Sequence, residues 1–397
     1  VKFFAFLFTL FLSATLFAQS PPKGIFISRE EIMALPTTGK AWDAVKAAAL
    51  KTWSTPDLSD QDDPTNVNVL AGAYYAVRTG DTAVRDKVRS AVARAPGTES
   101  GGRTLALGRE LMAYIIAIDL VGWPTASQEA DFKAWLSAVR RENLDGKTLI
   151  STHEIRPNNW GTAAGASRIA AALYLSDTAD LARSARVFRG WLGDRSSYAG
   201  FSYGDLSWQC NSGAPVGINP FCAKSGHPIG GVLPDDQRRG GGFTWPPPCE
   251  NYAWTGLEGA VLQAELLSRL PEYQTVYTWS DSALRRAVDW LYIQAKCPAV
   301  GNDTWMIWVI NSNYGTTIPT VSPVQISRMI GWTDWTHGPG GGTTPPPPLR
   351  TFVGTWEFHE QPDHTWLVHQ HDGGVDGFGA TPNAALHDWL TKNPARP

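Results

Sequence analysis

The chain has 397 residues, 34 Lys and Arg against 37 Asp and Glu, 43% hydrophobic and 18% charged residues. A hydrophobic share of that size excludes a disordered chain, and a formal net charge of −3 excludes a protein whose main partner is nucleic acid, because phosphate neutralisation needs a basic field. The length can bury a large core and fits one big domain or two ordinary ones.

The N-terminus reads as an export signal. Lys2 precedes an apolar run from Phe3 to Phe17 and then Ala18-Gln19-Ser20, the three parts of a secretory signal peptide. Cleavage is expected after Ala18, giving a secreted or periplasmic protein with no membrane contact once residues 1–18 are removed. No later stretch approaches the ~20 apolar residues of a membrane span. Four cysteines, Cys210, Cys222, Cys249 and Cys297, are an even number in an exported chain and favour two disulfides. Cys210–Cys222 with Cys249–Cys297 closes the shortest loop among the three pairings. Without a CxxC pair or HExxH, the sequence offers no metal site and calls for no cofactor.

The body, residues 19–337, reads as serial helices. Apolar residues recur at helical spacing over Ala41–Trp53, Val67–Arg78, Ala83–Ala95, Leu105–Val121, Glu129–Arg140, Trp160–Leu175, Leu181–Leu192, Leu257–Leu270 and Ser282–Ala295. Short turns bearing Gly, Asp or Pro join them, so the fold class is all-α, built from stacked hairpins. No fixed repeat is visible, which favours a ring over the common solenoids. Between Asp194 and Glu250 the periodicity stops, and three of the four cysteines fall there. A long irregular segment inside a compact domain is normally functional. Residues 338–348 (GPGGGTTPPPP) read as a linker, and 349–397 as a small β-β-α appendage, with strands around Trp356 and Trp366 and a helix near Asn383–Leu390.

Two clusters carry candidate chemistry. The first runs His153-Glu154-Ile155-Arg156-Pro157-Asn158-Asn159-Trp160-Gly161 into the Ala-rich helix. Amides at a helix start can aim N–H donors at an anion, with help from the helix dipole, although Asn is also a favoured cap. The second joins Asp235-Asp236-Gln237-Arg238-Arg239 and three glycines to Glu250-Asn251-Tyr252-Ala253-Trp254. Adjacent guanidinium groups suit a carboxylate in bidentate geometry. Thr255 to Glu258 reads as a capping box, which makes Glu258 a cap and leaves Tyr252 on the loop that enters the helix. Cations beside a Tyr favour its phenolate and so proton exchange. Gly331-Trp332-Thr333-Asp334-Trp335-Thr336-His337 reads as a packed seam. There is no P-loop, Rossmann fingerprint or GxSxG elbow.

An exported chain of helical hairpins, with Asn158-Asn159 at a helix start and Arg238-Arg239 and Tyr252 on a later loop, resembles the alginate-lyase-like polysaccharide lyases. The resemblance implies an incomplete (α/α) toroid and β-elimination on a uronate within an anionic polysaccharide. Poly-mannuronate lyases of this kind place a His directly after the Asn pair. Trp160 stands there instead, which points to a sister family acting on glucuronan or alginate, with His153 as the substitute. The roles implied are carboxylate neutralisation by Asn158, Asn159 and Arg239, proton donation by Tyr252, and Tyr252 or His153 as base. Arg238 and Arg156 would bind substrate, and Trp160, Trp245 and Trp254 would stack on sugar rings. Two other readings compete: a toroid glycoside hydrolase pairing Asp235 or Asp236 with Glu154 or Glu250, and a non-catalytic glycan binder. The sequence does not fix the oligomeric state.

Overall fold

A computed structural model of the chain describes residues 24–339 and three strand segments at 356–360, 366–370 and 377–379. The expected signal peptide, most of the 338–348 linker and the expected helix at 383–390 lie outside the described residues. The body is all-α. Its helices are α1 (Arg29–Ala34), α2 (Lys40–Leu50), α3 (Thr65–Thr79), α4 (Thr82–Ala93), α5 (Thr104–Val121), α6 (Ala126–Val139) and α7 (Leu149–Ile155). They continue with α8 (Asn159–Leu175), α9 (Thr178–Trp191), α10 (Pro234–Gln237), α11 (Asn251–Ser268), α12 (Trp279–Ile293), α13 (Trp305–Tyr314) and α14 (Thr333–Thr336).

Burial separates two kinds of helix. In α5 every residue but Asp119 is buried, and α3, α8 and α11 are buried on nearly every side. Helices α2, α4, α6, α9 and α12 bury one face and show charge to solvent, the pattern of an outer layer. The buried helices pack in the order α3, α5, α8, α11, α13. Small residues let their backbones approach closely. Gly108 of α5 lies against Ala164 of α8, and a Cβ at Gly259 of α11 would stand 2.3 Å from the Thr162 backbone of α8. A Cβ at Gly165, one turn further along α8, would meet the Gln263 side chain of α11 at 2.6 Å. Both helices therefore advance together, and α8 and α11 run parallel. Trp305 Nε1 donating to Glu258 at 3.2 Å and Asn313 donating to Glu265 at 3.0 Å set α13 parallel to α11 in the same way. The starts of these inner helices gather at one end of the body.

The C-terminal part of the body packs back on its first helices. Helix α14 packs on α2, Trp335 Nε1 donates to the Pro36 carbonyl at 2.9 Å, and Asn66 Nδ2 donates to the Arg328 carbonyl at 2.7 Å. Trp332, Trp335 and His337 are buried in this seam, so the aromatic cluster near residue 335 is packing.

Both disulfides form, Cys210–Cys222 and Cys249–Cys297. The segment between α9 and α11 holds a two-stranded ribbon, β1 (Ala223–Lys224) with β2 (His227–Pro228), the short α10 and a 3-10 turn, and is otherwise irregular. In the tail, β3 (Trp356–Glu360) pairs antiparallel with β4 (Trp366–Gln370), which pairs with β5 (Gly377–Gly379). Among the described residues no helix is long and apolar enough to cross a membrane, and no group of three or more His, Cys, Asp and Glu could hold a metal ion.

Candidate active site

The two sequence clusters meet. Residues 158–159 open α8, and the short helix α10 lies across them. Asn158 Nδ2 donates to Asp235 Oδ2 at 2.9 Å, and the Asn159 backbone N–H donates to Asp236 Oδ1 at 3.1 Å. Asp235 also accepts from Arg238 Nε at 2.7 Å and from the Gly204 N–H at 3.1 Å. A 3-10 turn continues α10 through Arg238–Gly240. There the exposed Arg239 guanidinium lies over the Tyr252 ring, 4.1 Å from its centroid, at cation–π distance. Amide, guanidinium and phenol are thus linked through one short acidic helix.

The adjacent asparagines do different work. Asn158 is the N-cap of α8, its Oδ1 accepting from the Trp160 N–H at 3.2 Å. With its amide held by Asp235, it is committed to the fold. The amide N–H groups of Asn159 meet no acceptor among the described residues. Asn159 is 1% exposed, and its buried Oδ1 is likewise unmatched. Asp236 is fully buried, and desolvation pushes its carboxyl well above the usual range despite the Asn159 N–H and the nearby Arg239 and Arg238. Gly256 makes room for it, since a Cβ there would stand 2.3 Å from Asp236 Oδ2.

Tyr252 sits in the first turn of α11, not on a loop. The helix begins at Asn251 with Glu250 as N-cap, whose Oε1 accepts from the Tyr252 N–H at 3.1 Å. The expected capping box is therefore corrected. Glu258 lies two turns inside α11, buried, with Trp305 Nε1 on its Oε1; desolvation raises its carboxyl, which Trp305, Arg109, Ser327 and Arg328 partly oppose. The sequence reading stumbled because Thr255-x-x-Glu258 matches a cap that Glu250, five residues earlier, supplies. Tyr252 is 39% exposed, so its ring is open to a ligand.

Other expected residues move. His153 lies on α7 rather than on a loop and is 2% exposed. Its Nδ1 is 3.4 Å from the guanidinium of Arg168. Burial first, then that cation, depresses the imidazole well below its ordinary value, with Gln263 acting in the opposite sense. The ring is buried, and its Nε2 meets no partner among the described residues. Trp254 is 1% exposed and donates Nε1 to the Cys297 carbonyl at 3.0 Å, so it is a core residue beside the disulfide and not a sugar platform. Trp160 is half-buried with Arg156 over its face at 5.0 Å. Trp245 is half-buried and stacks on His227 at 4.5 Å. A separate hollow of about 340 Å³, lined by Gly101, Gly102, Arg103, Asn143, Leu144 and Asp145, contains none of these residues.

The all-helical body and one stretch of the sequence are similar to the polysaccharide lyases. The particular family whose model matches is alginate lyase, over residues 69–196. That stretch runs from α3 past α9 and includes His153, Arg156, Asn158, Asn159 and Trp160, whereas Arg238, Arg239, Trp245, Tyr252 and Trp254 lie beyond it. No curated protein matches the chain.

Proposed function

We propose that the chain is a secreted lyase with a partial (α/α) toroid that cleaves a β-1,4-linked uronic-acid polysaccharide, glucuronan or mannuronate-rich alginate, by β-elimination. The observation that carries this reading is the bridge from Asn158–Asn159 through Asp235–Asp236 to Arg239 on Tyr252. The C5 proton of a uronate is weakly acidic, so its removal depends on stabilising the charge that develops on the carboxylate. Asn159 and Arg239 would supply charge-assisted donors there. The pair of electrons left at C5 forms the C4–C5 double bond, the bond from C4 to the linking oxygen breaks, and that oxygen leaves with a proton. Tyr252 would take the C5 proton and return one to the leaving oxygen.

Sealing of His153 bears on the substrate. In mannuronate and glucuronate the C5 proton and the leaving oxygen are on one face, which a single Tyr252 can serve. Guluronate presents them on opposite faces and needs a second group, a role the buried His153 does not fill. The geometry therefore supports the same-face substrates. Trp160, Trp245, Arg156 and Arg238 remain the proposed binding surface. The cysteine pairs, both bridged, support export.

The hydrolase reading finds less support. Glu154 is held by Arg168 and Arg183 at 3.0 Å each, Asp235 by Arg238, and Glu250 caps α11, while Asp236 is sealed. No two of these carboxyl groups stand free to act as an acid and base pair. Incubation with glucuronan, alginate and neutral glycans, following absorbance of the unsaturated uronate, tests the proposal. Absorbance should rise with the first two alone. Reducing ends released without absorbance would indicate hydrolysis, and binding without cleavage a glycan-binding protein.

A further inference from the structure

Arg109 is a buried cation of α5. It lies on α5 next to Gly108, the position where α5 touches Ala164 of α8. It is 8% exposed, yet its guanidinium makes no hydrogen bond and no ion pair among the described residues, and none of its nitrogens is fully sealed from solvent. Buried arginines elsewhere in this molecule behave differently. Arg140 is held by Asp177 and Asp180, Arg168 by Asp180 and Glu154, and Arg286 by backbone carbonyls. A buried cation is costly unless something pairs with it, so a guanidinium that keeps slight solvent contact and lacks a bonded partner suits an anion that arrives from outside.

The charged groups that act on Arg109 are Glu258 of α11, Arg328 of the segment after α13 and Asp62 of the loop before α3. Asp62 is taken by an ion pair with Arg328, and Glu258 accepts from Trp305. Along α11, Glu258 is six residues from Tyr252, about 9 Å at the rise of an α-helix. The group that acts most on Arg109 therefore lies on the helix that carries the phenol, less than two turns further in.

We propose that Arg109 binds the carboxylate of a second uronate, a neighbour of the unit that is cleaved, and so makes the enzyme depend on a run of acidic sugars rather than on one. This deepens the lyase reading and rests on it for the identity of the ligand. Bidentate guanidinium–carboxylate contact in a crevice of low dielectric supplies the recognition. A neutral sugar in that position would leave the cation unpaired, so discrimination comes from the cost of that mismatch.

The test uses binding rather than turnover. In a Tyr252→Phe background, long oligomannuronates and the same oligomers reduced to neutral sugars are titrated calorimetrically against the parent, Arg109→Gln and Arg109→Lys. Arg109→Gln should weaken the acidic oligomer by about tenfold while moving the neutral one little, and Arg109→Lys should restore part of the loss, because it keeps the charge without the fork. Equal affinity of a folded Arg109→Gln variant and its parent for the acidic oligomer would overturn the inference. So would a loss that Lys leaves unrepaired and that extends to the neutral oligomer. Absence of any acidic-oligomer binding by the parent would instead count against the uronate reading itself.

Discussion

The inner helices and the segment between α9 and α11 solve opposite problems. Helices α5, α8 and α11 are rigid because their backbones touch: Gly108, Gly165 and Gly259 stand where a side chain would collide with a neighbouring helix. The segment from residue 192 to 250 has almost no regular structure, and it is held by two disulfides and by side chains that bond backbone, such as Asn219 Nδ2 on the Trp208 and Ile229 carbonyls. The first region provides fixed helix starts, and the second lays Arg238 and Arg239 across them. The contrast teaches that precision at the proposed site comes from anchoring an irregular segment at a few points, with the helical body as the frame.

The largest effect expected from this division is on turnover. Tyr252→Phe should lower lyase activity by about 10²–10⁴-fold while the thermal unfolding midpoint stays within a degree or so of the parent. Full activity in the unsaturated-product assay would remove Tyr252 from the reaction even if the class stood. Next come the staples. Cys249→Ser with Cys297→Ser opens a link across a sequence separation of 48, for which the chain-entropy estimate is about 4 kcal/mol. Loss of Cys210–Cys222, with a separation of 12, should cost about 3 kcal/mol by the same reasoning. Denaturant unfolding measures both. If the segment is anchored as described, activity in the first double variant should also fall below the temperature at which the helices melt, as followed by far-UV circular dichroism.

A smaller and opposite effect is expected in the frame. Glu110 of α5 is fully buried with neither carboxyl oxygen paired among the described residues. Desolvation, then the charges of Asp63, Asp60 and Asp57, push its carboxyl up to about 10, with Arg109 opposing. A carboxyl raised in the folded state binds its proton more tightly there than when unfolded. Its contribution is fully present below its unfolded value, near the ordinary 4.5, and is lost as pH rises toward 10. Glu110→Gln should therefore raise the unfolding midpoint at pH ~8.5 by a few degrees and change it little at pH ~5. A midpoint shift equal at both pH values would show that Glu110 is not held neutral.

Much of the frame was legible because helical periodicity is a local property. The run Leu105–Val121 became α5 with one residue added at its start, and Trp160–Leu175 became α8 likewise. Legibility failed where local signals compete. α7, seven residues opened by the Thr148–Ser151 capping box, is too short to show an apolar period, so no helix is legible around His153. α13, Trp305–Tyr314, is apolar nearly all round and shows little amphipathic period. Of the site, the residue types were readable, but the division between Asn158 and Asn159 was not, since neighbouring identical side chains differ only in which way the chain turns.

By itself the sequence determined a helical body, an even set of cysteines, and a small group of amide, guanidinium and phenol side chains placed near helix starts. Those follow from periodicity, parity and capping chemistry, which act over a few residues. Only the tertiary structure decided which of those side chains share a surface. Burial sealed His153 and Trp254, Asp235 and Asp236 drew the Asn pair toward the Arg pair, and packing brought Glu258 near enough to act on Arg109. Each depends on contacts between residues tens to hundreds of positions apart, and such contacts leave no trace in local pattern.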